Sequence, residues 1–270
     1  MAAIDYEAEY NNRARVPEHP AVMAGWVRDA ADYRARHPPQ ELRYGPGERH
    51  RIDLFSGDSS GPIVVFIHGG YWQALDGSSF SHCARGLNAH GISVAVPTYD
   101  LCPAVTVGDI ITQMRMASRE LAKLGYPLVV SGHSAGGHLA ACMLATDWTA
   151  FDASLPRNLV SAACAISGLF DLPPLVGTSI NRALRLDQAS AQTASPLFWN
   201  PPAHGSLDAV VGGNESAEYF RQSRSIADAW GRSIATRFGT VADANHFTAI
   251  APLADPDSPM VLRLKELARG

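Results

Sequence analysis

The stretch Leu128-Val129-Val130-Ser131-Gly132-His133-Ser134-Ala135-Gly136-Gly137-His138-Leu139-Ala140-Ala141 joins an apolar run to a helical pattern through a serine flanked by glycines. Leu128-Val129-Val130 has no polar residue alternating with its apolar ones, which is how a strand buried on both faces reads. Residues 137–144 continue at helical spacing. Between them, Gly132-His133-Ser134-Ala135-Gly136 fits G-x-S-x-G, a pattern that places its serine on a strained strand-to-helix turn where glycines avoid collision with neighbouring backbone. The helix that follows aims its positive end at negative charge developing near Ser134. A second match, Gly57-Asp58-Ser59-Ser60-Gly61, precedes a strand and leads into no helix, so it reads as a polar surface turn. Ser134 is therefore the candidate nucleophile.

Working outward, further short apolar runs occur at Ile63 to Ile67, Ile92 to Val96, Val160 to Ile166 and Leu207 to Val211. Helix-like stretches at 78–89, 107–124, 134–147 and 217–230 lie between the runs, each closed by a Gly-, Pro- or Asn-containing break. Alternation of β and α predicts an α/β class with a mostly parallel central sheet and helices on both faces. With the serine turn, this is the α/β-hydrolase fold. Glu41 to Tyr44 and His50 to Phe55, separated by Gly45-Pro46-Gly47, suit an antiparallel edge hairpin. Upstream, Val22, Trp26, Ala30 and Tyr33 predict an amphipathic helix ahead of the main fold, making residues 1–40 a helical extension. Residues 172–203, with Pro173-Pro174 and Asn200-Pro201-Pro202 around a helix-like centre, predict a small cap insert. All 270 residues are expected to form one domain.

A serine hydroxyl is a poor nucleophile at neutral pH and needs a base, which in turn needs an orienting carboxylate. In this fold the chain order is serine, acid, histidine. His204 lies in a Pro-rich segment, whereas His246 follows the final strand-like run, Ser233 to Phe238, and is the preferred base. Three carboxylates compete for the acid. Glu215 ranks first because Gly212-Gly213-Asn214 lets it turn in after a strand; Asp171, after the strand 160–166, ranks second; Asp243, only three residues before His246, ranks third. Glu218 reads instead as a first-turn helix carboxylate. His68-Gly69-Gly70-Tyr71-Trp72 follows the strand ending at Ile67, where a loop for the oxyanion belongs, and Gly70, Tyr71 and Ala135 are the expected amide donors. Trp72 reads equally as a packing wedge.

With His68-Gly69-Gly70-Tyr71-Trp72, Gly-His-Ser-Ala-Gly at 132–136 and Glu215-Ser216-Ala217-Glu218-Tyr219 followed by Arg221-Gln222-Ser223, the chain resembles the arylformamidase (kynurenine formamidase) group of α/β hydrolases over most of residues 41–254. The group's Ser, Asp, His triad falls on Ser134, Glu215 and His246, with Glu replacing Asp as a departure. The resemblance implies hydrolysis of an N-formyl arylamide such as N-formylkynurenine to formate and free amine. Carboxylesterase action on small acyl or aryl esters is the alternative, since both proceed through the same acyl-enzyme. Tyr71, Trp72, Phe170, Phe198, Trp199 and Phe247 supply aromatic surface for an aryl leaving group, with Phe170, Trp199 and Phe247 taken as pocket candidates.

Other classes fit less well. A formal charge of −4 with scattered basic residues argues against nucleic acid or anionic membrane as partner. No apolar run approaches a membrane span, and Met1 to Asn12 has acidic residues and no apolar core of a secretory signal. Cys83, Cys102, Cys142 and Cys164 sit singly in apolar contexts, as thiols of a reducing compartment do, so a cytoplasmic location is expected. His133 and His138 share no helical face, and neither a metal-ligand quartet nor a phosphate-binding glycine loop occurs, so no metal and no cofactor are expected. The expected partner is a small-molecule substrate, and a homodimer is left open. A hydrolase fold kept as a binding module would lack a triad member, and here each has a candidate.

Overall fold

The computed structural model describes residues 4–58 and 60–269. Ser59 of the second serine match lies outside them. Eight strands form one sheet: β1 (Gln40–Arg43), β2 (Arg51–Phe55), β3 (Ile63–Ile67), β4 (Val94–Thr98), β5 (Leu128–His133), β6 (Val160–Ile166), β7 (Ser206–Gly212) and β8 (Ala235–Val241). Their spatial order is β1-β2-β4-β3-β5-β6-β7-β8. β1 and β2 pair antiparallel in the register Gln40↔Leu54 to Arg43↔Arg51, and β2 pairs antiparallel with β4. The pairings from β4 through β8 are parallel.

The continuous apolar runs are explained by what covers them. Ile63, Val65, Ile67, Leu128 and Val130 face one core layer, while Val64, Phe66, Val129, Val94 and Val96 face the other. The first layer is covered by the helices Val107–Ala122, Ala135–Leu144 and Ala217–Trp230, through residues such as Ile110, Leu139 and Ile226. On the opposite face lie the helices His19–Arg36 and Pro259–Leu267, which contribute Trp26, Tyr33, Val261 and Leu264.

Two local readings need correction. The segment 78–89 is not one α-helix: Gly77–Ala84 is 3-10 and only Arg85–Asn88 is α-helical. Its start packs tightly, since a Cβ on Gly77 would lie 2.9 Å from the Pro97 carbonyl oxygen at the end of β4. Nor is the helix His19–Arg36 merely ahead of the fold, because its Trp26 and Tyr33 are part of the second core layer. Residues 172–203 form 3-10 turns at Pro173–Gly177 and Pro196–Phe198 and short helices at Asn181–Leu184 and Gln188–Thr193.

Candidate active site

At the end of β5 the chain turns sharply, with Ser134 at φ 57° and ψ −117°. Side chains other than glycine rarely adopt that backbone, and such strain persists only where surroundings fix it. Here Ser134 N–H donates to the Ile166 carbonyl at 2.8 Å, and Ser134 O accepts from His138 N–H at 3.1 Å. A Cβ on Gly136 would lie 1.9 Å from the Ile67 carbonyl oxygen, and one on Gly132 would lie 2.2 Å from Gly136 O. The two glycines let the first turn of the helix pass against β3. Ala135 opens that helix, its amide one residue past the nucleophile.

His246 stands on the loop after β8. Its Nδ1 lies 2.7 Å from Glu215 Oε2, so Nδ1 carries the proton and Nε2 keeps its lone pair. Glu215 has a fully buried carboxylate. Its other oxygen accepts from Gly212 N–H at 2.7 Å and from Ser167 Oγ. The extra methylene relative to Asp is absorbed by a tight turn in which Glu215 N–H donates to Gly212 O at 3.1 Å; a Cβ on Gly212 would sit 2.9 Å from Glu215 Oε1. The rival acids are elsewhere. Asp171 pairs with Arg221 Nη2 at 2.8 Å, and Asp243 is exposed, its carbonyl accepting from Asn214 Nδ2 at 3.0 Å. Glu218 is in a helical first turn, but buried, where it accepts from the Tyr10 hydroxyl at 2.6 Å and from Arg221 Nε at 2.8 Å.

No hydrogen bond joins Ser134 Oγ to His246 among the described residues; the Tyr219 hydroxyl is the side-chain neighbour of Ser134. Contacts of this kind commonly tighten only when substrate is bound.

The loop after β3 runs beside the nucleophile with Gly70 at φ 106°, Tyr71 at 50° and Trp72 at 56°. Two consecutive non-glycine residues in left-handed conformation turn the backbone of Gly70 and Tyr71 out of any regular ladder, and among the described residues no hydrogen bond uses either N–H. A Cβ on Gly69 would lie 3.1 Å from Ser134 Cβ and 2.9 Å from His133 O, so this glycine permits the close approach of loop to nucleophile. His68 is buried, its Nδ1–H donates to Gly69 O at 2.8 Å, and its ring stacks on Tyr99 at 4.2 Å; burial pulls its pKa down to about 4, so it is neutral. Trp72 is fully buried and packs edge-on against His138, as a wedge does.

A cleft of about 460 Å³ opens over Ser134, Gly69, Gly70, Tyr71 and His246. Of the three pocket candidates only Phe247 lines it, with Tyr10 and Trp26 as further aromatic walls. Phe170 is fully buried and packs against Gly168, whose Cβ would meet its Cζ at 2.4 Å. Trp199 is held on the insert by a 2.8 Å bond from Nε1 to Thr193 O and by Arg115 over its ring, and Phe198 is half exposed to solvent away from the cleft. None of these three aromatics lines the cleft.

Several contacts of the site carried no sequence signal. Ser167, at φ 51°, presents the hydroxyl that holds Glu215. His133 Nε2–H donates to the His246 carbonyl at 2.8 Å, clamping the histidine loop; its burial and the neighbouring His246 depress its pKa well below the usual value. His138 Nε2–H similarly serves the Ala194 carbonyl at 2.7 Å. Asn12, from the N-terminal segment, donates to the hydroxyls of Tyr219 at 2.7 Å and Tyr71 at 3.2 Å, and these two hydroxyls are 2.6 Å apart. Burial raises the pKa of both tyrosines, so both stay protonated. The pairing of Asn12 with Tyr219 spans 207 residues of chain. Among the described residues no group of three His, Cys, Asp or Glu side chains is arranged to hold a metal ion, and no helix is long and apolar enough to cross a membrane.

The mostly parallel eight-stranded sheet flanked by helices agrees with the comparisons. The alpha/beta hydrolase family model matches residues 64–267. Kynurenine formamidase of Danio rerio is 32% identical over 237 residues, spanning 82% of this chain and 80% of that one. This chain is a kynurenine-formamidase-like member of the alpha/beta hydrolase family. Kynurenine formamidase of Drosophila melanogaster is 29% identical over 84% of this chain and 80% of its own. A solved structure from a Silicibacter species, provisionally described as a thioesterase, superposes with a TM-score of 0.84 at 34% identity, covering 99% of this chain and 100% of that one. An esterase from Pyrobaculum calidifontis, at 18% identity and a TM-score of 0.69 over 93% and 92% of the two chains, shares the fold.

Proposed function

We propose that this hydrolase cleaves small N-formyl arylamides of the N-formylkynurenine type, releasing formate and the free aryl amine. The observation that carries the reading is the Glu215–His246 pair beside Ser134 on the floor of an aromatic-walled cleft. Glu215 fixes the His246 tautomer, leaving Nε2 to take the Ser134 proton as Oγ attacks the formyl carbon. The amides of Gly70, Tyr71 and Ala135 meet the oxyanion. His246 then returns the proton to the aryl amine, which departs, and water attacks the formyl-Ser134 ester by the same route. Tyr10, Trp26 and Phe247 receive the ring. No cofactor enters these steps.

In this reading the chain acts as a single domain, with residues 172–203 serving as a cap through Ser179 and Ile180 at the cleft. The four buried free thiols suit a cytoplasmic location. A second reading, ester or thioester hydrolysis, is favoured by the likeness to the Silicibacter structure and uses the same acyl-enzyme. Parallel turnover of N-formylkynurenine, formanilide, p-nitrophenyl acetate and a small acyl thioester separates them. Preference for the formyl substrates supports the arylformamidase; broad ester or thioester turnover without formamide cleavage replaces it with the second reading.

A further inference from the structure

The cleft is closed on one side by the start of the chain. Asn12 is buried and bonded to Tyr71 and Tyr219, and the Tyr71 hydroxyl donates to the Tyr10 carbonyl at 2.7 Å. Asn11 caps the following turn by accepting from Ala14 N–H at 3.2 Å. The residues just before Arg13 are therefore tied to the oxyanion loop, the Asn11–Ala14 cap closes a local turn around it, and the Arg13 side chain is carried at the mouth of the cleft.

Apart from imidazoles, the ionisable side chains of opposite sign lining the cleft are Glu7 and Arg13. Glu7 is already engaged. Its carboxylate oxygens accept from Ser179 N–H and Ser179 Oγ, each at 2.6 Å, and Arg182 of the insert lies close enough to lower its pKa further. Arg13 makes no ion pair among the described residues and is the arginine that lines the cleft. A guanidinium offers a planar fork of donors matched to a carboxylate. The scissile group must lie at Ser134 on the floor, so an anion at Arg13 belongs to the arm of the substrate remote from the bond that breaks.

We propose that Arg13 is a specificity-determining residue that binds a carboxylate on that remote arm, so that the preferred substrates are carboxylate-bearing aryl compounds. This deepens the proposed function and rests on Ser134 as nucleophile, but not on the formyl group.

The test uses two matched substrate pairs with the full-length protein. One is a formanilide with a short carboxylate-terminated chain and its primary-amide counterpart; the other is the same pair built on an aryl acetate. Wild type should favour the carboxylate member of the cleaved pair by about 10-fold or more in kcat/KM, chiefly through KM. Arg13→Gln should erase that preference while holding the neutral member within about 2-fold, and Arg13→Lys should restore part of it. A preference that survives Arg13→Gln, an equal fall for both members, or no preference in wild type each overturns the proposal. Cleavage of the acetate pair alone would refute the formamidase reading and still report on Arg13. A coenzyme A thioester turned over better than either acid, and dependent on Arg13, would replace the carboxylate with a phosphate.

Discussion

Glu215 Oε2 and His246 Nδ1 meet at 2.7 Å within a carboxylate environment closed by Gly212 N–H and Ser167 Oγ. With three donors directed at the buried carboxylate, the imidazole is held in one tautomer and one orientation. Glu215→Gln presents an amide that can no longer enforce that tautomer, and kcat should fall by about 10³-fold or more. Asp171→Asn loses only the Arg221 pair, so kcat should stay within about 3-fold while stability falls by about 1 kcal/mol. Steady-state kinetics on the two variants decide it; the reverse ranking moves the acid to the segment after β6.

Gly69 allows the oxyanion loop to lie on the nucleophile. In Gly69→Ala the new methyl would stand 2.9 Å from His133 O and 3.1 Å from Ser134 Cβ, so the loop must retreat from the elbow. An oxyanion donor moved out of reach costs about 10²- to 10³-fold in kcat. Circular dichroism should remain native while kcat falls; wild-type kcat would show that the loop is not part of the reaction.

The N-terminal segment should matter to both stability and rate. Asn12→Ala leaves the Tyr71 and Tyr219 hydroxyls without their shared donor in a buried setting, a loss of about 1–3 kcal/mol. Urea unfolding measures the first effect, and kcat/KM the second. A variant with unchanged stability would mean that the network is not held through Asn12.

Buried neutral histidines set the acid limit of stability. His68 and His138 are held near pKa 4 by burial against an ordinary 6.5, and burial likewise holds His133 well below its ordinary value. The unfolded chain therefore binds more protons than the folded one below pH 6.5. Stability should be flat above about pH 7 and fall between pH 6.5 and 4, by on the order of 3 kcal/mol for each of His68 and His138. Asp76 and Asp109, with depressed pKa values, lose their contribution only at lower pH, so the windows separate. Urea midpoints from pH 8 to 4 provide the check, and a midpoint constant down to pH 4 would contradict it.

The central strands, the serine turn and the meeting of Glu215 with His246 were legible because each is coded locally: apolar runs, paired glycines, a glycine-bearing loop before the carboxylate. The hairpin of β1 and β2 was legible for the same reason, through Gly45-Pro46-Gly47. What could not be read was whatever depends on contacts distant in sequence. Asn12 meets Tyr219 only after the sheet has formed. Phe170 and Trp199 have the aromatic character of pocket residues, yet the helix 217–230 and the insert's own hydrogen bonds direct them elsewhere, as the bond from Phe170 N–H to Gln222 Oε1 at 2.7 Å illustrates. A Ser167 hydroxyl beneath the acid has no composition or spacing to announce it.

The most direct measurement is hydrolysis of N-formylkynurenine, followed by formate release, with wild type and Ser134→Ala side by side. The account predicts turnover by wild type and a loss on the order of 10⁴-fold or more in the variant, with its fold unchanged. Undiminished formate release by Ser134→Ala, or none from wild type under conditions where p-nitrophenyl acetate is cleaved, would contradict it.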